Sequence, residues 1–250
     1  MATPEPSKPP AADPATLDDV VWAALSGPQA HLAHRPAEGV DVKRYDAAVA
    51  PFGSTHRLDA GSLSAWLARL DAGALLGLLT PQPLDAAEAV SGGAVVMRAA
   101  LLQMVLTDPA PLASSTAGAA AAIEKLGAAD VPEMMQLVQA TRPGPFGPRT
   151  IEMGDYFGIR AAGRLVAMTG ERMKVPGFTE VSAVCVDPAF RGRGYAAALI
   201  HEVAAAIVAR GETPFLHVVQ DNRAAIALYE KLGFGTRREL HFVVFRRDGA

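Results

Sequence analysis

Residues 181–196, VSAVCVDPAFRGRGYA, determine how this chain is interpreted. The stretch opens with a mostly apolar, valine-rich run, continues into a turn rich in glycine and arginine, and leads into an alanine-rich segment. This order predicts a strand, a tight turn and the start of a helix. The first amides of a helix lack internal partners and carry partial positive charge. The stretch therefore predicts a binding site for an anionic group such as phosphate.

The residue types in the turn suit a phosphate. Gly192 and Gly194 let the backbone approach a ligand closely, because neither has a Cβ atom. Arg191 and Arg193 bring two guanidinium groups to the same turn, and a guanidinium matches the geometry of phosphate oxygens. Glycines also occur in ordinary tight turns, so the ligand has to be identified from a wider pattern.

One candidate ligand is a nicotinamide dinucleotide, because residues 192–197, GRGYAA, satisfy the pattern G-x-G-x-x-A. That fingerprint needs an acidic residue at the end of the following strand, where it holds a ribose hydroxyl. The following strand, predicted at residues 215–219, leads into Gln220, and Glu212 lies before it. The context of the fingerprint is therefore wrong.

A longer pattern fits better. Residues 184–196, V-x-V-x-P-x-x-R-G-x-G-x-A, resemble the acetyl-CoA-binding signature of the GNAT N-acetyltransferase superfamily. Residues 222–234, N-x-x-A-x-x-L-Y-x-x-x-G-F, resemble the second signature of that superfamily, in the expected order and at the expected distance. The resemblance covers roughly residues 120–248 and looks most like the branch that includes the C-terminal domain of glycine N-acyltransferases.

The resemblance implies a fold and a reaction. The fold class is α/β, with a central mixed, mostly antiparallel sheet flanked by helices, in the order β-α-β-β-β-α-β-α-β over residues 121–250. The reaction is transfer of an acetyl group from acetyl-CoA to a primary amine by direct attack in a ternary complex, without a metal. The acceptor, a small-molecule or peptide amine, stays open. An acyl-CoA-binding sensor without turnover is the alternative function.

The resemblance also implies which residues hold the cofactor. The pyrophosphate binds the backbone amides of residues 191–196, and the pantetheine arm lies against the backbone of residues 184–186. An amide of that backbone is expected to donate a hydrogen bond to the thioester oxygen. Asn222 caps a helix and can hold part of the cofactor. The cofactor-binding candidates are Val184, Cys185, Val186, Arg191, Gly192, Arg193, Gly194, Tyr195, Ala196, Asn222 and Tyr229.

Two residues are candidates for catalysis. Tyr229 matches the tyrosine of the second signature and would protonate the coenzyme A thiolate, unless it only packs on its helix face. Glu180 would accept a proton from the amine, directly or through a water, unless it is a solvated charge at the strand end. A base matters most for a lysine-like amine of pKa about 10.4, and less for an α-amine of pKa about 7.7–8.0. Glu152, Asp155 and Glu171 are weaker candidates without motif support.

Other reactive side chains carry weaker signals. Cys185 is the only cysteine and lies within a strand, where a small buried hydrophobic residue is expected. The six histidines lack the spacing of metal ligands. His217 lies beside the expected opening between two strands, so a minor role in substrate binding stays open next to a role in the core or at the surface.

The chain divides by composition into four segments. Residues 1–15, with five prolines, predict a disordered tail, and residues 108–120 predict a linker. Residues 16–107 predict a smaller N-terminal α+β lobe, which could be a lid, a dimerisation surface or a degenerate copy of the fold. Residues 121–250 form the GNAT-like domain, whose sheet is expected to end in two strands near 237–240 and 241–246. Loops at 143–153 and 174–179 are expected to shape the acceptor site.

The composition of the chain limits the classes of binding partner and the cellular compartment that we expect. The net charge is −3 without a long basic run, which argues against nucleic acid as a partner. No apolar run approaches the roughly 18 residues of a membrane span. The N-terminus lacks the basic and apolar regions of a signal peptide, and one cysteine suits a reducing compartment. We therefore expect a soluble, cytoplasmic protein, and a homodimer stays open.

Overall fold

The computed structural model describes residues 13–34, 41–114 and 122–249, without the side chains of residues 113 and 114. Most of the predicted tail and about half of the predicted linker lie outside these ranges. The strands are β1 (Val42–Arg44), β2 (Phe52–Thr55), β3 (Leu75–Thr80), β4 (Gly93–Leu106), β5 (Ile123–Leu126), β6 (Tyr156–Ala161), β7 (Arg164–Val175), β8 (Phe178–Val186), β9 (Thr213–Val219) and β10 (Phe234–Arg247). The α-helices are α1 (Val20–Ser26), α2 (Ala60–Leu67), α3 (Ala110–Ser114), α4 (Val131–Thr141), α5 (Tyr195–Ala209) and α6 (Arg223–Lys231).

All ten strands form one sheet in the order β1-β2-β3-β10-β4-β9-β8-β7-β6-β5. The pairs β2–β3 and β8–β9 are parallel, and the other neighbours are antiparallel. The predicted mixed, mostly antiparallel sheet flanked by helices is therefore confirmed. From β5 onward the elements follow the predicted order β-α-β-β-β-α-β-α-β.

The end of the chain differs from the prediction. The two strands expected near 237–240 and 241–246 are one continuous strand, β10. Residues 239–242, at the expected boundary, include no glycine, proline, asparagine, aspartate or serine, so the sequence does not favour a reversal there. β10 pairs with β4 along nearly its whole length, with register shifts between Thr236 and Arg238 and between Val244 and Phe245.

The N-terminal half contributes an interior strand to this sheet. β4 lies between β10 and β9 and pairs with both, and β3 lies on the other edge of β10. The boundary predicted at residues 108–120 separates segments along the chain, whereas the sheet is continuous across it. Residues 27–60, which show no period in the sequence, contain β1 and β2.

Helices cover both faces of the sheet near its centre. Phe215 of β9 packs in a cluster with Leu17, Val20 and Ala24 from the N-terminal segment and α1. Its neighbour Leu216 points to the opposite face and packs with residues of α5 and α6. No helix among the described residues is long and apolar enough to cross a membrane.

Candidate active site

An opening lies between the two parallel central strands. β8 and β9 pair at only three positions, and the last pair is Glu180 with Phe215. Beyond it, β8 stays paired with β7, and β9 stays paired with β4, but the two strands no longer pair with each other. Residues 181–186 of β8 therefore border a gap at the centre of the sheet, where a ligand can reach the backbone.

A β-bulge shapes the β8 side of this opening. The register with β7 passes from Ser182–Gly170 to Cys185–Met168, so β8 contains one extra residue. Ala183 in this bulge has φ 53°, a left-handed conformation that is uncommon for a residue other than glycine. Such strain persists only where surrounding structure enforces it, and it is concentrated at functional sites. The sequence gives no sign of this, because alanine has no preference for the left-handed region.

The predicted cofactor residues of β8 point to different faces. Val184 and Val186 pack on the side of α5, whereas Cys185 packs with residues of α4 and β6 on the other side. Burial raises the pKa of the Cys185 thiol to about 11, which keeps it protonated at neutral pH. This setting fits the expectation of a small buried hydrophobic residue.

The glycine turn has the conformation and the space that an anion site needs. Gly192 and Gly194 have φ of 75° and 78°, and a Cβ atom at either position would meet nothing within 4 Å. α5 begins at Tyr195, next to a left-handed Gly194, and no side chain caps its first amides. These amides are therefore available to a ligand at the start of the helix. Ala196 lies in the same first turn.

The arginines of the turn are exposed and available. Arg193 stacks on the ring of Phe190 at 4.8 Å, and Arg164 lies over the same ring at 5.6 Å. Arg164 forms an ion pair with Asp187 at 2.7 Å, whereas neither Arg191 nor Arg193 forms an ion pair with a described residue. Two exposed guanidinium groups without an ion-pair partner among the described residues thus lie beside the open glycine turn.

Tyr229 borders the opening from α6. It belongs to the apolar cluster that contains Val181 and Leu216, the residues that follow the last β8–β9 pair. Its ring packs against Phe234 at 6.2 Å, and its hydroxyl forms no hydrogen bond with the described residues. Burial raises the pKa of Tyr229 to about 12. Asn222 caps α6 as expected, accepting a hydrogen bond from the amide of Ala225 at 3.2 Å.

Glu180 has a setting that neither of its two sequence-based interpretations anticipated. The side chain is fully buried, and Arg172 donates to both carboxylate oxygens, at 2.8 Å and 2.6 Å. His217 Nδ1 lies 2.8 Å from one of the same oxygens. Burial alone would raise the pKa of Glu180, but Arg172 and His217 hold it well below its usual range. A carboxylate so held does not take up a proton near neutral pH, which argues against Glu180 as the base.

A chain of hydrogen bonds extends this ion pair through the sheet. Gln103 on β4 accepts from Arg237 at 2.8 Å and donates its amide hydrogens to the Leu17 carbonyl and to His217 Nε2, at 3.0 Å and 3.2 Å. Since His217 accepts at Nε2, its Nδ1 carries the hydrogen that points to Glu180. The network joins β7, β8, β9 and β4 beneath the N-terminal segment, so His217 has a place in the core.

The other carboxylate candidates are also paired. Glu171 is buried and binds Lys174 and Arg210, each at 2.7 Å. Arg149 holds Glu152 at 2.7 Å, and Lys125 holds Asp155 at 2.8 Å. Within the described ranges, no group of three histidine, cysteine or acidic side chains could hold a metal ion.

One of the two loops expected to shape the acceptor site is not a loop. Residues 174–179 form the ends of β7 and β8 and a turn at Pro176 and Gly177, with Val175 and Phe178 buried beneath α1. Gly177 adopts φ 78°, so two residues suffice for the reversal. The segment 143–153 does lie over the sheet, where Phe146 packs edge-on against Tyr156 at 5.6 Å.

Comparisons with known proteins agree with this arrangement. Residues 156–243 match the family model of FR47-like proteins. The chain is 42% identical to the N-alpha-acetyltransferase RimI of Mycobacterium tuberculosis over 94 residues, which are 35% of this chain and 58% of that protein. It is 46% identical to an acetyltransferase of Yersinia enterocolitica over 54 residues, 21% of this chain and 38% of that protein. In both cases the match spans less than two thirds of the relative's length.

Solved structures cover far more of the chain. A GCN5-related N-acetyltransferase-like protein from Streptococcus suis shares the fold, with a TM-score of 0.62 and 14% identity over 91% of this chain and 92% of that one. A GNAT-family protein from Novosphingobium aromaticivorans aligns with a TM-score of 0.81 and 39% identity. That alignment covers 93% of this chain and 99% of the other. A match of this identity over nearly the whole of both chains shows that the protein belongs to the GNAT family of acetyltransferases.

Proposed function

We propose that this protein transfers an acetyl group from acetyl-CoA to the α-amine of a peptide or amino acid. The observation that carries the proposal is the convergence of three features at one place in the sheet. The β8–β9 opening, the bulge at Ala183 and the open glycine turn follow one another along residues 180–196. Together they offer a slot for an extended arm, exposed backbone amides and a site for phosphate.

The donor would bind along this path. The amides at the start of α5 and the guanidinium groups of Arg191 and Arg193 suit the pyrophosphate of coenzyme A. The backbone of residues 184–186 suits the pantetheine arm, because β8 has no partner strand on that side. The bulge supports a role of β8 in stabilising the reacting thioester. A backbone amide in the bulge that is not paired with β7 is free to donate a hydrogen bond to the thioester oxygen.

In the reaction, the nitrogen of the neutral amine attacks the thioester carbon. The C–N bond forms, the C–S bond breaks, and the proton lost by the nitrogen ends on the sulfur of coenzyme A. Tyr229 would donate a hydrogen bond to the departing sulfur. Its pKa of about 12 lies well above the value of about 8.5 for an ordinary thiol. Full proton transfer from the phenol is therefore unfavourable, and the proton lost by the nitrogen reaches the thiolate through solvent.

The acceptor class is inferred from the pairing of the candidate bases. The four carboxylates considered as bases, Glu152, Asp155, Glu171 and Glu180, are all ion-paired. An α-amine of pKa about 7.7–8.0 is roughly one tenth neutral at pH 7, whereas a lysine side chain is about a thousandfold short. A site in which these four carboxylates are all ion-paired therefore favours an α-amine, which depends least on a base. The name of the Mycobacterium tuberculosis relative, an N-alpha-acetyltransferase, supports the same class.

A thiol-release assay tests this function. Purified protein, with acetyl-CoA, would be given a panel of short peptides that vary in their first residue, and matched peptides with a blocked α-amine and one free lysine. We expect release with free α-amines, at least tenfold faster than with lysine side chains at pH 7. Turnover with lysine side chains alone would contradict the acceptor class. Tight acetyl-CoA binding without turnover on any amine would favour the acyl-CoA sensor instead.

A further inference from the structure

Tyr156, at the start of β6, carries a buried hydroxyl that no described residue satisfies. The residue is 1% exposed, and its hydroxyl has no hydrogen-bond partner among the described residues. Buried polar groups in native proteins nearly always have a partner, so an exception calls for a specific cause, such as a bound ligand. Phenylalanine would fill the same space without this cost. The hydroxyl therefore points to a use that packing alone does not explain.

The ring of Tyr156 lies against β7, the strand between β6 and the bulged β8. Tyr156 pairs with Gly170 on β7, and Gly170 in turn pairs with Ser182 on β8. A Cβ atom on Gly170 would overlap three atoms of the Tyr156 ring, so the ring rests directly on this glycine. The register thus places the ring over β7, the strand next to the bulged part of β8, and Ala183 of the bulge packs against the same apolar cluster.

The surroundings of Tyr156 match an acceptor site. Phe146 from the segment 143–153 packs edge-on against the ring, and Ala183 belongs to the same apolar cluster. Burial raises the pKa of Tyr156. The charge of Arg172 lowers this pKa by a smaller amount, and the charge of Glu180 raises it. The group is thus a neutral phenol beside the strand that would hold the thioester, beneath a segment of the chain that covers this face.

We propose that Tyr156 binds the amine acceptor, an inference that rests on the proposed function. Its hydroxyl oxygen accepts a hydrogen bond from an N–H of the neutral amine and directs the nitrogen lone pair toward the thioester carbon. Tyr156 is an acceptor-binding residue and takes no proton. Phe146 provides an apolar wall against the group that carries the amine.

The experiment compares Tyr156→Phe with a matched control, Tyr45→Phe. Tyr45 is equally buried, but its hydroxyl donates to Gln29 at 2.6 Å and lies in a different apolar cluster. Calorimetry would measure the affinity of each protein for coenzyme A and for a conjugate of coenzyme A. In the conjugate, an acetyl bridge joins the coenzyme to the α-amine of the best peptide from the acceptor panel. Thermal melting would report the stability of each variant.

The two variants should behave in opposite ways. Tyr156→Phe should keep the wild-type melting temperature or exceed it, bind coenzyme A normally, and lose about three- to tenfold in affinity for the conjugate. It should also raise the KM for the acceptor by a similar factor. Tyr45→Phe should melt at a lower temperature, because Gln29 loses its partner, and should bind the conjugate as the wild type does.

The outcomes separate this inference from the proposed function. If the wild type binds the conjugate more tightly than coenzyme A, and Tyr156→Phe retains the whole gain, Tyr156 does not bind the acceptor. If the wild type shows no gain from the conjugate and no turnover, the proposed function fails, and this inference fails with it.

Discussion

Arg172 holds Glu180 in a two-point ion pair inside the protein, with Nε 2.8 Å from one carboxylate oxygen and Nη2 2.6 Å from the other. The pair lies where β8 and β9 separate, so it fixes the strand end from which the opening begins. His217 contacts the same carboxylate from β9 and thereby links the two strands beyond their last backbone pair. We interpret Glu180 as a structural anchor of the opening.

Removing the charge of Glu180 should cost stability more than activity. Glu180→Gln leaves Arg172 buried without its partner, and loss of one member of a buried pair costs about 3–5 kcal/mol. Urea unfolding should show a fall of about 3 kcal/mol in the free energy of unfolding. The control, Glu88→Gln, breaks the exposed pair with Arg98 and should change little. A hundredfold loss of kcat in a stably folded Glu180→Gln protein would restore Glu180 as the base.

The same carboxylate should affect stability in acid. Its folded pKa lies below the unfolded value, so the unfolded state binds the extra proton and stability falls as the pH decreases. This contribution is complete above the ordinary pKa of about 4.3 and is lost progressively below it. The slope for one proton is at most about 1.4 kcal/mol per pH unit. Urea unfolding between pH 3.5 and 6 should show a shallower slope for Glu180→Gln, and identical slopes would contradict this origin.

Replacing Tyr229 by phenylalanine should separate binding from chemistry. The hydroxyl has no hydrogen bond with the described residues, and the ring packs against Phe234, so the variant should fold and bind acetyl-CoA normally. Its kcat should fall about 100-fold, because the departing sulfur loses a positioned hydrogen-bond donor to its developing negative charge. Steady-state kinetics with the best acceptor would measure this. An unchanged kcat would remove Tyr229 from the reaction.

Gly192→Ala should weaken acetyl-CoA binding. The left-handed φ of 75° disfavours alanine by roughly 1–2 kcal/mol, and the backbone of the turn would shift to relieve it. Gly211→Ala is a matched control, since Gly211 has φ 79° with open space around it but follows the other end of α5. Both variants should lose similar stability, whereas only Gly192→Ala should lose affinity in calorimetry. Equal affinities for acetyl-CoA would argue against a phosphate site at the turn.

Local signals in the sequence were reliable where one short segment determines its own structure. The tight turn that contains Gly192 and Gly194 and the helix cap at Asn222 are dictated by residue type, so they were predicted. The order of elements from β5 onward was implied by the resemblance to the GNAT superfamily, and the structure follows it. The same signals misjudged residues 174–179, because a two-residue turn between long strands resembles a loop when only composition is considered.

Features set by distant contacts could not be predicted. β4 lies between β9 and β10 because of backbone pairing with segments more than a hundred residues away, which leaves no local pattern. In the sequence, Glu180 stands just before the first signature and resembles a charged residue at a strand end. Its partners Arg172 and His217 lie on neighbouring strands and are found only in the folded sheet. The bulge at Ala183 and the ring of Tyr156 over Gly170 likewise depend on the register of three strands.

The central claim is that the β8–turn–α5 segment binds the acyl donor, and thermal melting with coenzyme A, acetyl-CoA and NAD tests it most directly. At about a hundred times the Kd, binding adds about 2.7 kcal/mol to the free energy of unfolding. The account predicts a higher melting temperature with both coenzyme A species, no change with NAD, and a smaller shift for Gly192→Ala. An unchanged melting temperature with coenzyme A and with acetyl-CoA would contradict it.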